Sequence, residues 1–308
     1  MTDVPALKID SLSKSYGDTD ALTDVSLTVQ QGEIFGLLGP NGSGKTTLIN
    51  CVAQLADRDT GSISVMGLDI DDAYNEVKKR IGLSLQEPNA DPYFGIRSAL
   101  IYQAGYFGIP RDAAESRVDT LLHQFNLYEK RSDTFRELSG GMQRKISLIK
   151  ALLHEPDVLI LDEPTAALDV EARVELWDHV RSVNDAGVTV LLTTHYIEEA
   201  EEMCERICFL RDGGVLRVSQ TEHIMDELSR NSIRILFDNG VPSLPSSFPE
   251  HSVEEDRGAV EITVSRKEQS QRLQQALGVL DDNGIAYRNF NIEEDRLEQI
   301  FRRMMNDD

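Results

Sequence analysis

Cysteine, lysine, tryptophan and long apolar runs are all scarce in this 308-residue sequence. Three cysteines are too few for a disulfide scaffold. Cys204 and Cys208 lie four apart, but no further Cys or His completes a metal-ligand set beside them. Core packing is the expectation, because free cysteines are usually buried. No apolar stretch approaches the roughly 18 residues needed to cross a bilayer, and no signal peptide opens the sequence. The expectation is a cytosolic chain without a transmembrane segment of its own. Basic charge is short as well: 31 Lys and Arg, nine of them Lys, face 53 Asp and Glu, for a net charge of -22. That balance argues against a basic face for free nucleic acid. A site for a basic partner or a thickly hydrated acidic surface could account for it. The acids are scattered rather than blocked, which favours a halophilic-like surface adapted to salt.

What is present is long enough for a sizeable core, arranged most naturally as one large domain and one small one. The organising stretch is Gly39-Pro40-Asn41-Gly42-Ser43-Gly44-Lys45-Thr46, of the form GxxxxGK[ST], followed by Thr47. Ile34–Leu38 before it reads as a buried strand, and Leu48, Ile49, Val52 and Leu55 after it recur at helical spacing. The strand–loop–helix context supports a phosphate cradle. Its glycines let successive N–H groups point at phosphate oxygens, and the helix start adds partial positive charge. In such a loop Lys45 reaches the β- and γ-phosphates and the Thr46 hydroxyl ligates Mg²⁺.

Residues 6–12 and 25–29 alternate as half-exposed antiparallel strands do. Tyr16, between them, is either an aromatic that stacks on an adenine ring or a turn tyrosine. Ile63–Met66 reads as a short strand, and a charged helical patch surrounds residues 75–80. A second buried strand, Ile81–Leu85, ends at Gln86, and residues 87–95 form a Pro/Asn/Asp/Gly-rich loop. Helical patterns follow at about 97–107 and 112–125. Leu138-Ser139-Gly140-Gly141-Met142 then enters a helix whose Met142, Ile146, Ile149 and Leu153 share a face. Ser139 stands where an N-cap would. The two glycines beyond it make this either a second anion-binding end or a plain capped core helix.

Val158–Leu161 is a third buried strand and delivers Asp162-Glu163-Pro164-Thr165. Two carboxylates at the exit of an apolar strand are costly unless they serve a cation or a proton. Asp162 suits a water-mediated hold on Mg²⁺, and Glu163 suits a general base for an attacking water; a solvated turn is the plainer alternative. Asp169 precedes an amphipathic helix to about Asn184. A fourth strand, Val188–Leu192, leads to Thr193-Thr194-His195. In a largely parallel sheet the carboxyl ends of strands converge on one crevice. Gly39, Gln86, Asp162 and His195 are therefore expected around a single triphosphate.

With these motifs in this order, residues 5–220 resemble an ATP-binding cassette (ABC) ATPase, the motor subunit of ABC transporters. The implied fold is α/β, a P-loop nucleotide-binding domain at 1–228. It would combine a mixed, largely parallel sheet with antiparallel and helical subdomains, and a small α+β domain would follow at 229–308. Tyr16 falls at the adenine-stacking position, Gly39–Thr46 at the Walker A loop and Gln86 at the Q-loop, a Mg²⁺ ligand. Leu138–Met142 matches the signature, Leu159–Glu163 the Walker B strand, Asp169 the D-loop and His195 the switch histidine. Met142 stands where many members have Gln. That departure, Thr193-Thr194-His195-Tyr196 with Glu198-Glu199-Ala200, and Leu297-Glu298-Gln299-Ile300-Phe301 are similar to the drug- and antibiotic-exporting branch.

The resemblance implies ATP and Mg²⁺ as ligands and hydrolysis by Glu163, His195 and Gln86. Two copies, or a paired ATPase subunit, would pack head-to-tail, each triphosphate lying between Lys45 of one chain and Ser139, Gly140 and Gly141 of the other. Separate permease subunits would dock near Glu87–Gly95 and the helices after it, at the cytoplasmic face of the membrane. A ribosomal tandem type would show two Walker A loops, and this chain has one. A DNA-repair type needs a long coiled coil, but only 94 positions (139 minus 45) separate Lys45 from Ser139, without sustained heptads. Met142 and the C-terminal piece disfavour an importer motor.

In that last piece Ile233–Phe237, Ala259–Val264 and Ile285–Ile292 read as strands, residues 239–250 as a Pro/Ser-rich connection, and Leu273, Leu277 and Leu280 as a helix face. Leu297, Ile300, Phe301 and Met304 mark a closing helix. A stabilising or dimer-contacting appendage is the favoured reading, ahead of a ligand-sensing domain.

Overall fold

The computed structural model describes residues 4–87, 91, 93–228, 231–238, 240–254, 258–265, 267–294 and 299–300. The chain divides into two compact units, Met1–Val218 and Ser219–Asp308.

The first unit opens with two long strands, β1 (Leu7–Tyr16) and β2 (Thr19–Val29), then β3 (Ile34–Leu38) and helix α1 (Lys45–Val52). Next come β4 (Thr60–Val65), β5 (Leu68–Asp69), α2 (Tyr74–Arg80) and β6 (Ile81–Ser84). Three helices follow, α3 (Ile96–Tyr106), α4 (Arg111–Gln124) and α5 (Gly140–Leu152). The rest is β7 (Val158–Asp162), α6 (Val170–Asp185), β8 (Thr189–Thr194), α7 (Ile197–Met203), β9 (Arg206–Arg211) and β10 (Gly214–Gln220).

The central sheet has the order β10-β9-β3-β8-β7-β6, and its β9-β3-β8-β7-β6 portion is parallel. Every residue of β3, β7 and β8 is buried. Such unbroken apolar runs belong to strands covered on both faces. A second sheet, β2-β1-β4-β5, is antiparallel, and its inward positions Leu7, Ile9, Leu12, Leu22, Val25 and Leu27 join the core shared with α1. β1 and β2 run further than their apolar alternation predicts, because Gly17 at φ 60 closes a hairpin between Tyr16 and Thr19. The β9–β10 connection, Asp212-Gly213, has both residues at positive φ, as two-residue hairpin turns require.

The second unit contains α8 (Thr221–Leu228), β11 (Asn231–Leu236), β12 (Ser252–Glu254), β13 (Ala259–Val264), α9 (Gln269–Asp282) and β14 (Asn289–Glu293). Its antiparallel sheet has the order β12-β13-β11-β14. Ile233, Ile235, Val260 and Ile262 pack with Ala276 and Leu280 of α9. The division falls before α8, whereas the sequence pattern sets the boundary at 228; an amphipathic helix between two units has no local feature that says which it joins. β14 also starts later than the pattern from Ile285 predicts. Ile285 is used to finish α9, its N–H donating to the Leu280 carbonyl at 2.9 Å after Gly284 at φ 64. In the expected closing helix, Leu297, Phe301 and Met304 lie outside the described residues, as do Glu298 and residues 88–90 and 92 of the expected docking loop.

Candidate functional site

β3 ends where the chain must turn sharply into α1. A Cβ on Gly39 would sit 2.3 Å from the Leu210 carbonyl oxygen and 2.4 Å from Ser43 Oγ. Gly44 has φ 104, and a Cβ there would meet the Ala21 carbonyl at 2.6 Å. No side chain fits either place, so the loop wraps tightly with its amides unobstructed. Pro40, Asn41 and Gly42 form its exposed tip, and Thr47 is half-buried on the first turn of α1. Ser43 Oγ is buried without a hydrogen-bond partner. Lys45, 5% exposed, donates to the carbonyls of Gly39 at 2.8 Å and Pro40 at 3.2 Å. Burial lowers its pKa, against the opposing pull of Glu163 and Asp162.

The other half of the site comes from β7 and β8. The Thr193 hydroxyl donates to Asp162 Oδ1 at 2.6 Å and accepts from the Glu163 N–H at 3.0 Å. The same N–H also points to the Thr193 carbonyl at 3.1 Å. Thr46 Oγ1, one residue past Lys45, donates to Asp162 Oδ2 at 3.3 Å. Glu163 has φ 47, a left-handed backbone that costs a non-glycine residue about 1–3 kcal/mol and recurs at functional positions. Its carboxylate is the meeting point. Gln86 Nε2 donates to Oε2 at 3.0 Å, His195 Nδ1 lies 3.2 Å from Oε2, and Lys45 Nζ lies 3.8 Å from Oε1.

Lys45, Thr46, Gln86, Asp162, Glu163 and His195 are thus brought to one sheet edge, because β3, β8, β7 and β6 are parallel neighbours. Other predicted residues are occupied locally. Tyr16 is 51% exposed at the tip of its hairpin, with the Lys14 ammonium 5.2 Å from its ring centre. Ser139 Oγ accepts from the Met142 N–H at 3.4 Å, capping the helix that Gly140 and Gly141 open. Asp169 Oδ1 accepts from the Ala172 N–H at 2.8 Å and caps α6. Two contributors went unpredicted. Thr193 stands inside a quoted motif, but nothing in that motif marks its hydroxyl as the link between Asp162 and Glu163. Arg144, on α5, donates to the Gln86 carbonyl and lies 3.5 Å from the Ala166 carbonyl, joining segments far apart in sequence.

The oxygens at Thr46 and Asp162 are hard donors of the kind Mg²⁺ takes. Among the described residues no group of three or more His, Cys, Asp or Glu is arranged to hold a metal. One carboxylate with a hydroxyl suits an ion that keeps its waters and shares a phosphate. The unpartnered Ser43 hydroxyl and the glycine-lined loop suit the phosphate itself.

A phosphate loop at the head of a parallel sheet, facing a carboxylate pair on a neighbouring strand, defines a P-loop nucleotide-binding protein. The profile of the ABC transporter family matches residues 22–166. The Nod factor export ATP-binding protein I of Burkholderia lata is 42% identical over 212 residues, 68% of this chain and 70% of the relative. Its counterpart in Rhizobium etli is 38% identical over 223 residues, 72% and 71% of the two chains. Among solved structures, an ATP binding subunit of an ABC transporter superposes with a TM-score of 0.65 at 29% identity, covering 71% of this chain and 91% of that one. A dimeric ATP-binding cassette in a post-hydrolysis state, bound to ADP and Pi, gives 0.64 at 26% identity, with 70% and 98% covered. The chain belongs to the ABC transporter family, as an ATP-hydrolysing motor subunit.

Proposed function

We propose that this chain powers export, through separate membrane-spanning permease subunits, by ATP-dependent closure of a head-to-tail pair. The convergence of Lys45, Gln86, Asp162 and His195 around Glu163 supports this reading most. Lys45 exchanges the carbonyls of Gly39 and Pro40 for phosphate oxygens when ATP enters. Thr46, Gln86 and, through water, Asp162 would hold Mg²⁺, which would supply positive charge to offset that of the phosphates. Glu163 accepts the proton of the attacking water as its oxygen bonds the γ-phosphorus and the bond to ADP breaks. Gln86 and His195 hold the Glu163 carboxylate in place. Tyr16 stacks on the adenine, and Ser139, Gly140, Gly141 and Asp169 act on the nucleotide of the opposite chain. The helix N-terminus at Gly140 favours that negative charge. Hydrolysis severs the γ-phosphate from ADP, and its departure removes charge that holds the halves together, so the pair reopens.

Export rather than import follows the relatives' names and the departure at Met142. The permease would be met on the helical side. There Phe94, Leu100, Tyr102, Tyr106, Ile146 and Lys150 line a cavity of about 600 Å³. Among the described residues no helix is long and apolar enough to cross a membrane, in keeping with a peripheral subunit at the cytoplasmic face. Residues 1–228 are proposed as the motor, α8 being counted with it although the compact unit that contains α8 begins at Ser219. Residues 229–308 are proposed as an accessory domain whose sheet and α9 form their own apolar core. The test is co-expression with a candidate permease. Membrane association and permease-stimulated ATPase are expected; turnover that no membrane protein alters would overturn the transport reading.

A further inference from the structure

Glu199, on α7, is 1% exposed, and the mechanism above leaves it without a task. Its Oε1 accepts two hydrogen bonds, from the Thr165 hydroxyl at 2.9 Å and from the indole Nε1 of Trp177 at 2.9 Å. The Thr194 hydroxyl also faces this carboxyl, and the Arg173 guanidinium attracts it. Burial nonetheless pushes its pKa up. A buried carboxyl is costly wherever it stands, and an apolar side chain would fill the same volume.

The partners reveal what the carboxyl ties together. Thr165 lies two residues past Glu163 and is fully buried. Trp177, the only tryptophan in the chain, projects from α6, the helix capped by Asp169. Thr194 directly precedes His195 at the end of β8. A second tie runs parallel to the first. Arg173, one turn before Trp177 on α6, lays its guanidinium 4.8 Å from the ring centre of Tyr196, whose ring in turn lies 4.1 Å from that of His195. The turn that carries His195 is therefore held against α6 on one side and against the Glu163–Thr165 segment on the other.

We propose that Glu199 is a positioning residue: by tying Thr165 to Trp177 beside Thr194 it sets the approach of His195 to Glu163. The inference rests on the roles proposed above for Glu163 and His195. A displacement of about 1 Å at a reacting group is enough to cost on the order of a hundredfold in rate. Loss of the carboxyl therefore lowers turnover while leaving ATP binding, which is made by the phosphate loop, largely intact.

The test compares steady-state ATPase of the full-length protein with Glu199→Leu, Glu199→Gln, His195→Ala and the Glu199→Leu/His195→Ala pair, Glu163→Gln serving as reference. Glu199→Leu should lower kcat about tenfold or more with KM for ATP within about twofold. Glu199→Gln, which keeps an acceptor oxygen, should restore most of the loss. In the double variant the two losses should not multiply, since both act through the same contact. If kcat of Glu199→Leu is unchanged, if Gln is as poor as Leu, or if the losses multiply, the proposal falls. Should Glu199→Leu not fold, Thr165→Val and Trp177→Phe each delete one of the two bonds. A several-fold drop in kcat in both supports the proposal, and unchanged kcat in both overturns it. Normal turnover by Glu163→Gln would instead sink the reading of the reacting centre itself. An inactive Glu163→Gln beside a fully active Glu199→Leu would sink only the role given to Glu199.

Discussion

His195 Nδ1 lies 3.2 Å from Glu163 Oε2, although 32 positions (195 minus 163) separate the two residues. β7 and β8 are adjacent parallel strands with Asp162 paired to Thr193, so the residues just past each strand end must meet. The same Oε2 accepts from Gln86 at the end of the next strand out, β6. A carboxylate gripped from two sides and held on a left-handed backbone is placed for one task.

That placement makes Glu163→Gln the most direct probe. The amide keeps the shape but cannot take a proton from water. Turnover should fall by about 10²–10⁴-fold, with ATP affinity little changed and the closed pair accumulating. Rapid-quench ATPase and light scattering with ATP read both effects; unchanged turnover would remove Glu163 from its assigned role.

Lys45→Ala should abolish nucleotide binding. The wild-type melting temperature should rise with ATP, because a ligand that binds only the folded state at a hundred times its Kd adds about 2.7 kcal/mol. The variant should show no such rise. A melting curve of Lys45→Ala that still responds to ATP would refute the cradle.

Gly39→Ala is expected to destabilise the fold by about 3 kcal/mol, through overpacking rather than lost chemistry. The added methyl would lie 2.3 Å from the backbone oxygen of Leu210, which cannot swing aside. Urea unfolding of the nucleotide-free protein measures this. Gly42→Ala meets no atom within 4 Å but sits at φ 84, so its smaller loss isolates backbone strain.

Ser139→Arg leaves the phosphate loop of its own chain untouched and puts a bulky cation at the proposed trans contact. Nucleotide should still bind, while ATP-driven dimer formation and turnover are lost. Sedimentation in the Glu163→Gln background gives the answer, and a fully active Ser139→Arg would exclude the trans arrangement.

Salt should stabilise this protein. A net charge of -22 repels itself within the folded state, and the screening length shrinks from about 10 Å at 0.1 M to about 3 Å at 1 M. Melting temperature and solubility are expected to climb from low to molar salt. A flat response would remove the salt-adapted reading of the surface.

Much of the site was legible because a phosphate loop is a local object. Gly39, Gly44, Lys45 and Thr46 act through contiguous backbone and one helix start, so their spacing alone specifies the geometry. The buried strands were legible for a similar reason, since a strand covered on both faces leaves an unbroken apolar run. The limits of β14 were not, because Ile285 looks like a strand residue until the end of α9 claims its N–H.

The sequence by itself determined the phosphate loop and the buried strands, each set by neighbours within a few positions, and the net charge of -22. Only the tertiary structure decided that Thr193 joins Asp162 to Glu163, that Arg144 reaches Gln86, and that Glu199 gathers Thr165 and Trp177. Those contacts join residues 22 to 58 positions apart and depend on strand order and helix facing. Neither property is carried by any single stretch of chain, and so neither could be read before the sheet was assembled.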